Sequence, residues 1–198
     1  MSKDPRLRRT FRLSTAIAAA VVASCASADE GCVPTAADGL GPYYVAGTAI
    51  TENLNRLGKP GEPLTVIGSV LSAAAEHPPI ANAQIEIWQT DGDGDYHPAG
   101  DGHVSDYADS AVDMRGTVIT DGSGVYQFAT VVPGGYFPRP RHFHYRIAAP
   151  DHATLVTQLY VTGDGALRQP GEPCRHASIE ETDAGLRYEA PNIYLLAE

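Results

Sequence analysis

Two histidines separated by one residue, His142 and His144, carry the strongest chemical signal in the sequence. In a β-strand, side chains at positions i and i+2 project from the same face, so both imidazoles would point together and Phe143 would point the opposite way. Imidazole is a common metal ligand, so the pair predicts half of a metal site. A strand that carries two surface histidines has the same spacing, and the pair alone leaves that alternative open.

A phenol and a guanidinium stand shortly before this pair, at Tyr136 and Arg139. Pro138 and Pro140 fix their own backbone φ and favour extended conformations in the residues before them. We therefore expect a stiff, extended segment that presents Tyr136 and Arg139 to the same pocket as the two imidazoles.

A second phenol, Tyr96, ends the acidic segment Asp-Gly-Asp-Gly-Asp-Tyr that begins at Asp91. The segment is similar to a calcium-binding loop, but Tyr96 replaces the glycine of the sharp turn and Gly102 replaces the bidentate glutamate. We expect a turn that delivers Tyr96 to the site, and no calcium loop.

Two phenols and two imidazoles form the candidate ligand set Tyr96, Tyr136, His142 and His144. Zinc is usually held by Cys, His or carboxylate side chains, so the set points away from zinc. Free tyrosine has a pKa of about 10, and a strongly Lewis-acidic ion is needed to deprotonate two of them at neutral pH. These donors predict Fe³⁺, whose charge two phenolates would largely offset.

Composition and pattern predict one all-β domain. The 198 residues suffice for a single core, and the formal net charge of −10 makes nucleic acid an unsuitable partner. Turn-forming residues are plentiful, with 20 Gly and 15 Pro, and no amphipathic helix stands out. Short β-rich segments between the turns predict a β-sandwich. The predicted strands are 64–71, 83–89, 125–131, 143–148, 154–161 and 186–196.

The polar segments 100–114 and 172–185 are expected to be loops. Aromatic and imidazole side chains outside the ligand set are expected to be structural or solvated. We expect packing roles for Trp88, Tyr126, Tyr145, Tyr160 and Tyr194, and solvated positions for His97, His103, His152 and His176.

The first 28 residues predict an export signal, which leaves 29–198 as the folded domain. A basic start is followed by an apolar run too short to span a bilayer, at 14–24. Arg8 and Arg9 resemble a twin-arginine signal, and residues 26–28 offer a small-x-small cleavage site. Lipidation at Cys25 is the alternative to cleavage, so the mature protein is expected outside the cytoplasm, either free or lipid-anchored. Export would leave Cys32 and Cys174 as an even pair, which predicts one disulfide.

An ordered series of matches resembles the intradiol ring-cleavage dioxygenases, such as protocatechuate 3,4-dioxygenase and catechol 1,2-dioxygenase. The resemblance covers nearly the whole mature chain. It is carried by Gly41-Pro42-Tyr43-Tyr44, Trp88-Gln89, Gly94-x-Tyr96, Arg115-Gly116, Thr120-Asp121-x-x-Gly124-x-Tyr126-x-Phe128, Pro133-Gly134-x-Tyr136, Arg139-x-x-His142-x-His144 and Thr157-Gln158-Leu159-Tyr160.

The resemblance implies an antiparallel β-sandwich with long loops around a non-haem Fe³⁺ held by the four candidate ligands. Tyr96 is implied to be the ligand that leaves when a catechol binds. Arg139 is implied to stabilise charge that develops on the ring, and Gln158 to line the pocket. The implied reaction cleaves the bond between the two hydroxylated carbons with O₂ and gives a cis,cis-muconate.

The connection from Tyr136 to His142 is short, as in small exported members of the family, and the substrate and oligomeric state stay open. A bulky, lignin-like catechol is one alternative to a small one, and a non-enzymatic β-sandwich binding module is the rival function. Arg115 and Arg141 are candidate partners for a carboxylated catechol, although exposed, solvated arginines are the expected state.

Overall fold

A computed structural model describes residues 32–163 and 173–198, so the predicted export signal and Cys25 lie outside the described residues. Twelve strands and three short 3-10 turns make up the described regular structure, and none of the helical turns there is long and apolar enough to cross a membrane. The strands are β1 (Val45–Ala46), β2 (Pro63–Ser72), β3 (Gln84–Trp88), β4 (Gly102–His103), β5 (Arg115–Ile119), β6 (Val125–Val131), β7 (His142–Ala149), β8 (His152–Val161), β9 (His176–Ala177), β10 (Ile179–Thr182), β11 (Gly185–Glu189) and β12 (Ile193–Leu195).

Two five-stranded sheets enclose the core. One has the order β5-β3-β7-β8-β9; in the other β2 pairs with β6 along one edge and with β11 and β12 along the opposite edge, and β10 extends β11. The alternation of side chains explains how each sheet covers the core. In β2, buried and half-buried positions alternate along the strand, so one face packs inward and the other lies nearer the surface. The predicted all-β sandwich is confirmed.

The sheets are mixed. Antiparallel pairing joins β3 to β5, β3 to β7, β7 to β8 and β2 to β6, as expected for short strands joined by turns. Parallel pairing joins β11 and β12 to β2, and β9 to β8.

All six predicted strands are present, the last one as β11 and β12. Five strands are additional, namely β5, β10 and the two-residue strands β1, β4 and β9. Strand β10 lies in the segment 172–185, which was expected to be a loop. Its residues are mostly exposed, so it lacks the apolar alternation that marks a strand, and pairing with β11 defines it instead.

The predicted disulfide is confirmed. Cys32 and Cys174 are bonded, with their Cα atoms 5.4 Å apart and 142 residues apart in sequence. The bond joins the N-terminal arm to the turn that precedes β9.

Candidate metal centre

The outer face of the sheet β5-β3-β7-β8-β9 carries the site. On β7 the side chains of Phe143, Tyr145 and Ile147 enter the core, and His142 and His144 project from the opposite face. Both imidazoles are nevertheless buried, and their Nε2 atoms lie 3.1 Å apart. The period of two in a strand therefore aims both rings at one point, as predicted.

Tyr96 reaches the same point from a turn that Asp91 holds. The Oδ1 atom of Asp91 accepts hydrogen bonds from the backbone N–H groups of Asp93 and Asp95, both at 3.0 Å, and its Oδ2 atom lies 2.7 Å from Nε2 of His97. Burial works to raise the pKa of Asp91, but these bonds outweigh it and lower the pKa. The carboxylate of Asp91 therefore holds the turn that carries Tyr96.

The phenol oxygen of Tyr96 completes a triangle with the two imidazoles. Its Oη atom lies 3.3 Å from Nε2 of His142 and 3.1 Å from Nε2 of His144. The side chain is 5% exposed. Three donor atoms thus converge within about 3 Å of one another, from two separate elements of the chain.

Tyr136 stands beside this triangle at the start of a tight turn. Its ring centroid lies 5.9 Å from those of Tyr96 and His142, and the N–H of Arg139 donates to the carbonyl of Tyr136 at 2.5 Å. The expected extended segment is therefore wrong. The chain reverses at Phe137 and Pro138, and this reversal places Tyr136 and Arg139 side by side across a β-bridge.

Burial keeps the donors neutral. It lowers the pKa of His142 to about 4 and that of His144 well below 6.5, so both imidazoles have a free lone pair at neutral pH. Burial and the neighbouring Tyr136 raise the pKa of Tyr96 above its usual 10. Neutral imidazole is the form that binds metal, and a nearby cation would offset the cost of ionising the phenol.

The arrangement fits a metal ion. Bonds of about 2.0–2.1 Å, typical for imidazole on a first-row ion, place neighbouring ligand atoms about 3 Å apart, as found for Tyr96, His142 and His144. Nδ1 of His142 donates to the carbonyl of Pro140 at 2.6 Å, so its Nε2 lone pair points to the centre. Within residues 32–163 and 173–198 no three His, Cys, Asp or Glu side chains are grouped to hold a metal ion. An ion at this centre therefore needs the phenols.

Arg139 and Gln158 lie next to the candidate ligands, because Gln158 is paired with His144 across β7 and β8 and Arg139 contacts Gln158. A guanidinium Nη2 of Arg139 donates to Oε1 of Gln158, and the same nitrogen lies 3.4 Å from the hydroxyl of Tyr160. The cation acts on the candidate ligands. It partly offsets the burial that raises the pKa of Tyr96, and it adds to the burial that lowers the pKa of His142. Its Nε is buried and has no hydrogen-bond partner among the described residues.

Three aromatic residues near the ligands have larger roles than the sequence indicated. The indole of Trp88 stacks on His144, with centroids 4.8 Å apart and planes at 7°. The ring of Tyr43 stacks on that of Tyr96, with centroids 4.3 Å apart. The hydroxyl of Tyr160 accepts a hydrogen bond from Nη2 of Arg139. Trp88 lies opposite His144 in the pairing of β3 with β7. Its contact with His144 could have been predicted from the sequence only if the register of these two strands had been known.

The expected surface position of Arg115 is wrong. Its side chain is 2% exposed, and it donates to the carbonyls of Tyr43 (2.8 Å), His97 (2.8 Å) and Pro98 (3.1 Å). Burial lowers its pKa to about 10, so it remains a cation at neutral pH. Arg115 fastens the arm at Tyr43 to the segment after Tyr96 and is fully engaged in the fold.

Comparisons with known proteins identify relatives of this chain. A family model described as "Dioxygenase" matches residues 40–138, which contain Tyr96 and Tyr136. A catechol 1,2-dioxygenase of Pseudomonas sp. (strain EST1001) is 32% identical over 146 residues, or 63% of this chain and 46% of that protein. The chain spans about half the length of the curated relatives it matches.

Solved structures show the same fold. The dioxygenase domain of a dioxygenase carbohydrate-binding protein fusion from Streptomyces sp. SirexAA-E has a TM-score of 0.65 at 26% identity, with 83% of this chain and 98% of that chain covered. For 3-chlorocatechol 1,2-dioxygenase from Rhodococcus opacus 1CP the TM-score is 0.69 at 22% identity, with 83% and 73% covered. The chain belongs to the intradiol ring-cleavage dioxygenase family.

Proposed function

We propose that this protein is an exported, non-haem Fe³⁺ dioxygenase that cleaves a catechol-type ring between its two hydroxylated carbons. The observation that carries the proposal is the convergence of the Tyr96 oxygen and the two imidazole nitrogens within 3.3 Å, with Tyr136 beside them. Membership of the family supports ring cleavage. The disulfide supports an oxidising compartment, because such bonds persist mainly outside the cytoplasm.

Tyr96, Tyr136, His142 and His144 would hold the iron. When bound, a ferric ion would act as a Lewis acid that favours the ionised catechol and activates it toward O₂. Oη of Tyr96, as a phenolate, would accept a proton from the entering catechol hydroxyl. The two imidazoles, held by Pro140 and Trp88, would keep their Nε2 atoms fixed during the exchange.

Arg139 would stabilise negative charge on the reacting ring. Its Nε–H is buried and has no hydrogen-bond partner among the described residues, while its Nη2 donates to Gln158; we expect the bound substrate to accept from this Nε–H. A fixed cation of this kind is more effective than solvent because it needs no reorganisation as the charge develops. The overall reaction breaks one carbon–carbon bond and adds both atoms of O₂, so catechol and O₂ give cis,cis-muconic acid without a further reductant.

A bulky catechol is the second candidate substrate, and one observation favours it. Phe137, at the tip of the turn between Tyr136 and Arg139, is 89% exposed. An exposed aromatic ring beside two site residues offers a stacking surface for a second ring of a larger polyphenol. Turnover of catechol compared with that of a two-ring catechol separates the candidates, and Phe137→Ala should reduce only the latter.

The reaction is tested by oxygen uptake with the iron-loaded mature protein. We expect one O₂ consumed per catechol and a muconate absorbance that rises at the same rate. Tyr136→Phe should abolish turnover, whereas Tyr107→Phe, in the loop that carries the exposed His103, should not change it. Iron-loaded protein that binds catechols but consumes no O₂ would instead support the binding module.

A further inference from the structure

A polar network behind Arg139 extends to Asp38, which lies outside both the predicted site and the matched residues 40–138. Strand pairing sets Gln158 opposite His144 and Tyr160 opposite His142, so β8 continues the polar face of β7. The amide of Gln158 has a fixed orientation, because its Nε2 donates to the carbonyl of Gly39 at 2.8 Å. Its Oε1 is thereby directed at Arg139.

The hydroxyl of Tyr160 has one proton and two acceptors within reach. Oδ2 of Asp38 lies 2.9 Å away and Oε1 of Gln158 lies 3.2 Å away. A carboxylate is the stronger acceptor and is also the nearer one, so the proton goes to Asp38. The lone pairs of both the Tyr160 hydroxyl and Gln158 then remain for Arg139.

Asp38 is itself held firmly. Arg175 donates to its Oδ2 at 2.6 Å, and the N–H of Gly39 donates to its Oδ1 at 2.7 Å. Burial works to raise the pKa of Asp38, but the hydrogen bonds from Arg175, Gly39 and Tyr160 outweigh it, and the pKa lies below its usual 3.8. The carboxylate is therefore charged at neutral pH. Cys174 precedes Arg175 and Cys32 lies on the arm of Asp38, so the disulfide fastens both partners.

We propose that Asp38 is a positioning residue for Arg139. By taking the proton of Tyr160, it prevents that proton from turning to Oε1 of Gln158, where it would compete with the guanidinium. Arg139 is thus held by two acceptors in the orientation that leaves its Nε–H for the substrate. The effect on catalysis rests on the proposed function, whereas the positioning of Arg139 by Asp38 does not depend on it.

The test is a double-mutant comparison of Asp38→Ala with and without Tyr160→Phe. In Tyr160→Phe there is no hydroxyl proton that could turn from Asp38 to Gln158. The effect of Asp38→Ala should therefore largely disappear in that background. In the native background we expect kcat to fall by roughly 10-fold to 100-fold with KM and iron content little changed. In the Tyr160→Phe background we expect a change of less than about twofold. Asp183→Ala, which removes an exposed carboxylate, should match wild type.

Arginine side-chain NMR of the iron-free protein measures whether the Arg139 guanidinium is held in one orientation, and it does so without any catalytic assay. In wild type we expect separate Nη signals for Arg139, because the guanidinium is held; in Asp38→Ala they should average. Averaging of equal extent in both backgrounds, or its absence in Asp38→Ala, overturns the proposal. A wild-type protein that fails to cleave catechols but shows the predicted NMR pattern refutes the proposed function and leaves the positioning role intact.

Discussion

The indole of Trp88 lies flat against the imidazole of His144, with ring centroids 4.8 Å apart and planes within 7° of parallel. The two residues are opposite each other on β3 and β7. Nδ1 of His144 has no hydrogen-bond partner among the described residues, unlike Nδ1 of His142. Stacking is therefore the contact that we expect to fix the His144 ring.

Replacing Trp88 by Leu should weaken iron binding by about 10-fold to 100-fold, the usual effect of removing a contact that orients a ligand. Trp88→Phe keeps an aromatic face and should bind iron almost as tightly as wild type. Titration of the iron-free proteins with iron measures the effect. Equal affinities for the Leu and Phe variants would show that stacking does not orient His144.

The sequence could predict that the candidate ligands lie together, because their positions depend on local geometry. His142 and His144 share a face through the period of a strand, and Tyr96 follows a turn built by its own neighbours. Trp88, Tyr160 and Asp38 depend instead on strand register and on a disulfide, which relate distant segments. Arg115 was misplaced for a related reason: an arginine is usually exposed unless paired, and its carbonyl partners are scattered along the chain.

Arg139→Ala should retain iron and reduce kcat by about 10²-fold to 10³-fold, because a charge-stabilising donor is lost while the four ligands remain. Arg139→Lys keeps the charge but not the planar fork that Gln158 and Tyr160 hold, so we expect an intermediate rate. Iron analysis together with steady-state kinetics checks both variants. Loss of iron with normal turnover per remaining iron would assign Arg139 a structural role.

Gly41 leaves space beside the candidate ligand His144. A Cβ atom there would lie 3.2 Å from Cε1 and 3.7 Å from Nε2 of His144. Gly58 has the same φ of +70° with nothing within 4 Å of the corresponding Cβ, so it is a matched control for backbone strain. Gly41→Ala should weaken catechol binding by about tenfold, or ~1.4 kcal/mol. Anaerobic catechol titration measures this, and an equal loss in Gly58→Ala would refute the crowding argument.

Arg115→Met should lower the free energy of unfolding by about 3 kcal/mol, because buried carbonyls of Tyr43, His97 and Pro98 lose their charged donor. Arg187, which is 43% exposed and pairs with Glu189 at 2.8 Å, provides the comparison. Arg187→Met should cost no more than about 1 kcal/mol. Denaturant unfolding of the iron-free proteins measures both. Similar losses in the two variants would mean that Arg115 does not fasten the arm.

The central claim is that Tyr96, Tyr136, His142 and His144 form a ferric centre that binds a catechol. The most direct measurement is the visible absorption spectrum of the purified protein with its iron content, before and after catechol is added under argon. We predict about one iron per chain and a tyrosinate-to-Fe³⁺ charge-transfer band that shifts when catechol binds, and a loss or clear weakening of that band in Tyr136→Phe. A protein that stays colourless after Fe³⁺ is supplied would contradict the account.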